Sequence, residues 1–208
     1  MCSAYYLKRI ERKAERAAAA LLEKLRLEAH ETALPLIRPT DPAPLIASSP
    51  EGPVLMHARW GLVPHWAKDT TIGRQCFNAR GETVHEKPAF RDSFRKSRVL
   101  VPASGWFEWS VPKGHKLKHA VEPASGELMF AGLRASWKRP EGDWLDTYTI
   151  VTVPALASIA HLHDRMPLPV PQAEWSTWLE GSPDDARAVL EPDEATFSIE
   201  PPVADPIV

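Results

Sequence analysis

Proline is the residue that most restricts the fold of this chain, because 21 of its 208 residues are proline. Proline fixes its own φ angle and lacks a backbone N–H donor, so it interrupts helices and the interior strands of sheets. Prolines spread along the sequence therefore predict many short strands joined by tight turns rather than a bundle of long helices. A chain of this length commonly folds as one domain when much of it is β structure.

The hydrophobic pattern and its turn signals predict where the elements lie. Predicted strands are residues 54–60, 98–102, 105–109, 128–133 and 147–153, and predicted helices are 7–31, 86–96, 155–162, 173–180 and 184–190. The prolines between 35 and 44 predict an extended connection through Ile46. The sequence thus predicts a single α+β domain over residues 1–197, with a curved, mostly antiparallel β core of short strands, flanking helices and a flexible tail at 198–208.

The predicted helix at 7–31 is amphipathic. Apolar side chains recur there at three- and four-residue spacing, and lysine, arginine and glutamate fill the other faces. Two interpretations are open: a cationic helix that faces phosphates, or a solvated face with ion pairs inside the helix. The interleaved glutamates favour the second interpretation.

Composition narrows the class of protein. The net charge of −2 argues against coating nucleic acid by bulk electrostatics, although a local cationic groove is compatible with it. No apolar run approaches the ~20 residues of a membrane span, and we expect no secretory signal. The two cysteines, Cys2 and Cys76, form no disulfide framework. We therefore expect a monomeric cytoplasmic protein that needs no membrane, metal or organic cofactor.

Cys2 directly follows the initiator methionine. Methionine is usually removed before a residue as small as cysteine, and the mature chain then carries a thiol and a free α-amine on one residue. Both groups are available near neutral pH, since their ordinary pKa values are ~8.5 and ~7.7–8.0. Such a 1,2-aminothiol condenses with an aldehyde to a Schiff base and closes to a thiazolidine ring. The alternative is that Cys2 has no role at a frayed terminus.

Glu108 lies between Phe107 and Trp109 in a predicted strand. A carboxylate held against aromatic surface loses hydration, which raises its pKa toward the range in which it exchanges protons at pH 7. Strict alternation along the strand supports the other interpretation, in which Glu108 points to solvent between two buried rings.

Two further groups of polar residues are candidates for a site. His163, which precedes Asp-Arg-Met-Pro, is interpreted as a proton donor at a corner between a helix and a loop. The neighbouring His161 is assigned to packing or the surface, because no metal-ligand spacing accompanies the pair. Asn78 and Arg80 share one face of a strand. The asparagine suits an amine or sugar hydroxyls, and the arginine suits a phosphate or an ion pair with Glu82.

Tryptophans are mostly core residues. Trp66 is the predicted exception, because it falls in a loop where an unpaired base can stack on its ring. The most concentrated basic run is either a phosphate-contacting surface or a solvated helix face. It consists of Arg91, Arg95, Lys96 and Arg98.

Four sequence blocks follow Cys2 in order: Arg59-Trp60-Gly61-Leu62-Val63-Pro64-His65-Trp66, Phe77-Asn78-Ala79-Arg80-Gly81-Glu82-Thr83, Val101-Pro102-Ala103-Ser104-Gly105-Trp106-Phe107-Glu108-Trp109 and His161-Leu162-His163-Asp164-Arg165-Met166-Pro167. Together with Cys2 they resemble the SRAP family, the SOS-response-associated peptidase-like proteins that crosslink to abasic sites in DNA. The resemblance covers roughly 54–167 and the N-terminal cysteine. It departs at Ser3 and Ala4, where the family usually has glycine and then an arginine that helps to hold a phosphate.

The resemblance implies a role for each matching residue. It implies that Glu108 is an acid/base, that His163 protonates the sugar ring oxygen, that Asn78 serves the cysteine, and that Arg80 contacts the DNA backbone. The predicted catalytic residues are therefore Cys2, Asn78, Glu108 and His163, and the predicted DNA-binding residues are Arg59, Trp66, Arg80 and Arg165.

The hypothesis that follows is capture of abasic sites in single-stranded DNA through a thiazolidine on Cys2, with weak strand cleavage as a side reaction. Such a protein would act in the cytoplasm and on the nucleoid after damage. Two alternatives remain open at this point: a thiol peptidase that uses Cys2 as nucleophile and His163 as base, and a module that binds single-stranded DNA reversibly.

Overall fold

The computed structural model of the protein describes residues 2–8, 34–112, 115–124, 127–192 and 197–204. Within these ranges the strands are β1 (Tyr5–Leu7), β2 (Leu34–Ile37), β3 (Pro42–Ser49), β4 (Gly52–Trp60), β5 (Asn78–Arg80), β6 (Arg98–Ala103), β7 (Gly105–Ser110), β8 (Leu117–Pro123), β9 (Leu128–Lys138), β10 (Trp144–Pro154), β11 (Arg165–Pro167), β12 (Phe197–Ile199) and β13 (Val203–Ala204). The helices are α1 (Arg91–Lys96), α2 (Trp175–Glu180) and α3 (Pro183–Ala188), with 3-10 helices at Thr71–Arg74, Gly81–Thr83 and Gln172–Glu174.

The centre of the fold is a closed barrel of five strands in the order β10-β4-β3-β6-β9, which the β9–β10 pairing completes. Most neighbours in it are antiparallel; β10 runs parallel to β4, and also to β5 outside the ring. Burial of mostly apolar side chains favours this closure. Strand β6 is buried at every position, including Arg98, and β10 is buried from Thr147 to Val153. The predicted α+β class with a mostly antiparallel core of strands is confirmed.

A second sheet, in the order β12-β8-β7-β1-β2 with β13 also on β8, packs beside the barrel. The N-terminal strand β1 joins the two layers. Tyr5 is completely buried, and its hydroxyl lies 2.7 Å from the Tyr148 hydroxyl of β10. Trp60 stacks on Tyr148 with ring centroids 6.2 Å apart and meets Tyr5 edge-on at 5.3 Å. Aromatic pairs of this kind add to the area that they bury, so the start of the chain is firmly docked.

The structure corrects several predicted elements. The segment expected to be an extended connection through Ile46 is β3, a full strand of the barrel, and the short strands β1, β5 and β8 were not predicted. Residues 155–162 form turns rather than a helix, and the helix predicted at 86–96 covers only Arg91–Lys96. Within the described residues, no helix is long and apolar enough to cross a membrane.

Both ends of the chain also differ from prediction where they are described. Leu7, the first residue of the predicted long helix, belongs to strand β1, and residues 9–31 of that helix lie outside the described residues. The predicted tail at 198–208 begins inside β12, and β12 and β13 both pair with β8. Sheet pairing extends further toward the C-terminus than local composition indicates, because β8 supplies the backbone partners.

Candidate functional site

Cys2 lies where β1 runs along β7. Tyr5 pairs with Trp106, and the Phe107 N–H donates to the Ala4 carbonyl at 3.0 Å, which continues the contact toward the terminus. Gly105 permits this approach, since a Cβ atom there would lie 2.5 Å from the Tyr6 hydroxyl. The Cys2 side chain is fully buried. The start of the chain is therefore part of the core rather than a frayed end.

Asn78 holds the backbone of Cys2. Its Nδ2 donates to the Cys2 carbonyl at 2.6 Å, and its Oδ1 is buried without a hydrogen-bond partner among the described residues. Asn78 begins β5 and is half-buried, on the same face of the strand as the exposed Arg80 and opposite the buried Ala79. An unfilled buried acceptor next to a chain terminus can receive an N–H or O–H from a reacting group.

Glu108 points inward, with 2% of its surface exposed, and not to solvent between the two rings. Burial raises the pKa of Glu108 to about 7, and the negative charge of Asp164 raises it as well. Burial also raises the pKa of the Cys2 thiol, and the charge of Glu108 adds to that rise, so the two side chains are within electrostatic reach. At neutral pH the site combines a protonated thiol with a carboxyl group that can give or take a proton.

His163 lies on the turn before β11, which also carries Asp164. The Arg165 N–H donates to His163 Nδ1 at 2.9 Å, and burial lowers the pKa of the imidazole. Nδ1 also lies 2.8 Å from Asp164 Oδ1, with which it forms an ion pair when the ring is protonated, so both contacts engage Nδ1 rather than Nε2. The charge of Asp164 contributes to the raised pKa of Glu108, so this turn lies within electrostatic reach of the carboxyl group.

Arg165 is held by Glu82 and by the backbone of Thr152. Its Nη1 and Nη2 donate to the two Glu82 carboxylate oxygens, the second at 2.9 Å, and Nη2 also donates to the Thr152 carbonyl at 2.6 Å. The ion pair considered for Arg80 and Glu82 is thus formed by Arg165, although the charge of Arg80 also contributes to lowering the Glu82 pKa. Arg80 itself is exposed.

Strand β10 aligns the predicted residues that flank it. Four of these residues lie opposite a residue of β10: Arg59 opposite Thr147, Asn78 opposite Ile150, Arg80 opposite Thr152, and Arg165 opposite Pro154. At about 3.3 Å per residue these positions extend over roughly 23 Å. Residues far apart in sequence therefore follow one strand, with Asn78 near the middle of the row.

Trp66 projects from the loop after β4, with half of its surface exposed. The loop is anchored on both sides, by the Val63 N–H on Thr147 Oγ1 at 2.9 Å and by the Trp137 indole on the Ala67 carbonyl at 2.8 Å. Trp60 and Trp106, in contrast, are completely buried. A fixed and exposed indole is the arrangement that base stacking needs.

The basic run from 91 to 98 is divided by the fold. Arg91, Arg95 and Lys96 are exposed on α1, whereas Arg98 is buried and donates to three backbone carbonyls. No local pattern distinguishes Arg98 from its neighbours. The pair of Arg165 with Glu82 was not predicted either, although both residues lie in the sequence blocks that follow Cys2. Within the described residues, no three His, Cys, Asp or Glu side chains form a group that could hold a metal ion.

Comparison with known proteins shows which family this chain is similar to. The family described as SOS response associated peptidase (SRAP) matches residues 1–205. The abasic site processing protein YoqW of Bacillus subtilis is 38% identical over 147 residues, which is 66% of this chain and 63% of that protein. The abasic site processing protein HMCES of Gallus gallus is 31% identical over 169 residues, 68% of this chain and 50% of its own length. The aligned region thus spans less than two thirds of either relative.

The fold is shared with solved structures as well. A protein of Bacteroides thetaiotaomicron superposes with a TM-score of 0.80 at 24% identity, covering 95% of this chain and 91% of that one. The match to the family extends over nearly the whole chain, and it includes Cys2 and the strands that carry Asn78 and Glu108. This chain belongs to the SRAP family.

Proposed function

We propose that the protein processes abasic sites by capturing them in single-stranded DNA, through a covalent bond to Cys2 once Met1 is removed. The observation that carries this proposal is the joint placement of Cys2, Asn78 and Glu108: a cysteine backbone held by an amide, beside a buried carboxyl group with a pKa of about 7. The abasic site processing relatives support DNA with an abasic site as the substrate.

The chemistry follows from the groups present. An abasic deoxyribose opens to an aldehyde at C1′, and the α-amine of Cys2 adds to that carbon to form a carbinolamine. Glu108 gives its proton to the departing hydroxyl, which leaves as water, and the iminium forms. The Glu108 carboxylate then takes the proton of the Cys2 thiol, and the sulfur adds to C1′ to close the thiazolidine. Glu108 ends the cycle protonated, as it began.

The raised thiol pKa suits this order of steps. A thiol that stays protonated until a base is generated beside it does not compete with the amine for the aldehyde. The peptidase alternative would instead use the Cys2 thiol as the nucleophile toward a peptide, with His163 as the base that activates it. Intact mass and a casein digestion assay test that alternative: loss of Met1 without digestion of casein supports capture of an aldehyde.

Asn78 and His163 have supporting roles in the proposal. The buried Oδ1 of Asn78 accepts an N–H of the Cys2 amine and so turns its lone pair toward the sugar. His163 donates from Nε2 to the ring oxygen as the hemiacetal opens. If the reaction stops at the iminium, elimination at the 3′ side breaks the strand, which would produce weak lyase activity.

The strand itself would be held by Arg59, Arg80, Arg165 and Trp66. Replacing Trp66 by alanine is expected to weaken binding of single-stranded DNA by about 1–3 kcal/mol, the contribution of one stacked base. Trp144, which is 63% exposed at the start of β10, provides the matched control, and its replacement by alanine should leave the Kd unchanged. Fluorescence anisotropy with a labelled oligonucleotide measures both values. Equal losses in the two variants would argue against stacking on Trp66.

The decisive experiment is a denaturing gel of the protein with an abasic oligonucleotide. The wild type should give a stable adduct, and Cys76→Ser, which alters the other buried thiol, should give the same adduct. Cys2→Ser keeps an amine but cannot form the sulfur ring, so it should be trapped only when borohydride is present. A stable adduct with Cys2→Ala, or none with the wild type after Met1 loss is verified by mass, would exclude the proposal.

A further inference from the structure

Glu82 fills the guanidinium fork of Arg165. Both of its oxygens accept hydrogen bonds from the two terminal nitrogens of the arginine. A phosphodiester offers two oxygens in the same bidentate geometry. The third donor, Arg165 Nε, is buried without a hydrogen-bond partner among the described residues. The carboxylate therefore stands where a backbone phosphate would bind, and the arginine keeps one donor that Glu82 does not use.

The two partners differ in how firmly they are held. The Glu82 side chain is 48% exposed and lies on the surface turn Gly81–Thr83, whereas the Arg165 side chain is only 12% exposed. Arg165 is held separately by the Thr152 carbonyl at 2.6 Å, on the neighbouring strand. Glu82 can therefore move into water while the arginine stays in position.

Arg80 adds a second cation to this location. The hydrogen bonds from Arg165 are the first cause of the lowered Glu82 pKa, and the charge of Arg80 contributes in the same direction. Glu82 is thus ionised at neutral pH, and it neutralises about half of the positive charge that two arginines present to a strand. A phosphate that binds to Arg165 must therefore displace the Glu82 carboxylate.

We propose that Glu82 is a built-in competitor for the DNA backbone, which fills the phosphate position at Arg165 in the free protein and swings into solvent when a phosphodiester takes that position. The inference rests on the proposed function only for the identity of the strand. Its consequence is selectivity: intact DNA must displace Glu82 and is held weakly, whereas a strand fixed by its aldehyde at Cys2 stays long enough to complete the exchange.

The test is reversible binding of an intact single-stranded oligonucleotide without any abasic site. Glu82→Gln should lower the Kd by about three- to fivefold, the size expected when a half-exposed ion pair is removed. Glu82→Asp keeps the charge but shortens the reach by one methylene, so it should also tighten binding. Glu86→Gln removes the same charge from an exposed residue close by, and the effect of Glu82→Gln should exceed it clearly. In an Arg165→Gln background, Glu82→Gln should have no more effect than Glu86→Gln.

Weaker binding by Glu82→Gln and Glu82→Asp, or an effect no larger than that of Glu86→Gln, would overturn the inference, because Glu82 would then only position Arg165. Thermal unfolding of each variant identifies any that fails to fold. If Glu82→Gln does not fold, the Kd of Glu82→Asp provides the test. The outcome does not depend on the covalent step. Tighter binding by both Glu82 variants without any adduct on abasic DNA would reject the proposed function and leave this inference standing.

Discussion

Glu108 and Arg98 are both ionisable side chains buried in the interior, with 2% and 6% of their surface exposed, but their surroundings differ. Arg98 donates to the carbonyls of Trp178 at 2.5 Å, Phe94 at 2.7 Å and Gly181. These carbonyls lie at the C-terminal ends of α1 and α2, where the last backbone acceptors have no partner inside the helix. The charge of Arg98 therefore joins two helices to β6.

The surroundings of Glu108 act in the opposite direction. Burial raises its pKa to about 7, so the folded protein favours the neutral carboxyl group over the carboxylate. A buried charge that is satisfied by fixed acceptors stabilises a fold, whereas a buried acid whose pKa is moved near 7 is suited to proton transfer. Burial alone therefore does not show whether an ionisable side chain stabilises the fold or takes part in proton transfer. The groups that surround the side chain determine which role it can have.

The largest expected effect separates the two residues by activity. Glu108→Gln keeps the shape of the side chain but cannot exchange a proton, so we expect the rate of adduct formation to fall by about 10²–10⁴-fold. Single-turnover kinetics on denaturing gels with abasic oligonucleotide measures this rate. Arg98→Met, assayed under conditions in which it is folded, should form adduct at the wild-type rate. Similar rate losses in both variants would contradict the assignment of proton transfer to Glu108 and of a structural role to Arg98.

The next effect separates them by stability. Arg98→Met removes the donor of three carbonyls, two of them in buried hydrogen bonds, and we expect a loss of roughly 3 kcal/mol in the free energy of unfolding. Urea denaturation followed by tryptophan fluorescence measures it. The matched control is Arg95→Met on the exposed face of α1, which should change stability by less than about 0.5 kcal/mol. Equal losses for the two arginines would show that Arg98 does not connect the helices.

The smallest effect is a dependence of stability on pH that Glu108 alone should produce. Its pKa is raised in the folded protein, so the folded state binds the proton more tightly than the unfolded chain does. The contribution of Glu108 to stability is therefore fully present below its ordinary pKa of about 4.3 and is lost as pH rises through about 7. The difference in Tm between Glu108→Gln and the wild type should thus increase in favour of the variant from pH 5 to pH 8. A constant difference would contradict the raised pKa.

The parts of the fold that were predicted are those in which the local pattern is strong. The strand expected at 54–60 is β4, and the one expected at 147–153 is the centre of β10, because alternating or continuous apolar residues bounded by turns are characteristic of strands. Strand β3 was missed because Pro42 and Pro44 suggested a connection, although the structure pairs both of them with β4. Strand β5 has three residues, too few for any periodicity to be read.

The candidate site was also predicted only in part. The types of residue were evident in the sequence, since a cysteine after the initiator methionine and the ordered blocks around Asn78, Glu108 and His163 indicate their own chemistry. That Glu108 faces inward was not evident, because strict alternation along β7 equally predicts an outward carboxylate. The partner of Arg165 could not be predicted either, because Glu82 lies 83 residues away in the sequence.

Local sequence was enough to predict the class of fold and the family, and to nominate candidate reactive groups, because covalent chemistry and hydrophobic patterning belong to single residues and their near neighbours. Tertiary structure alone decided which groups are buried, and therefore which pKa values move and which charges are paired. Arg98 and its exposed neighbour Arg95 have the same side chain three residues apart, yet only Arg98 meets the Gly181 carbonyl from 83 residues away. Desolvation and pairing depend on such distant contacts, and the folded backbone sets them.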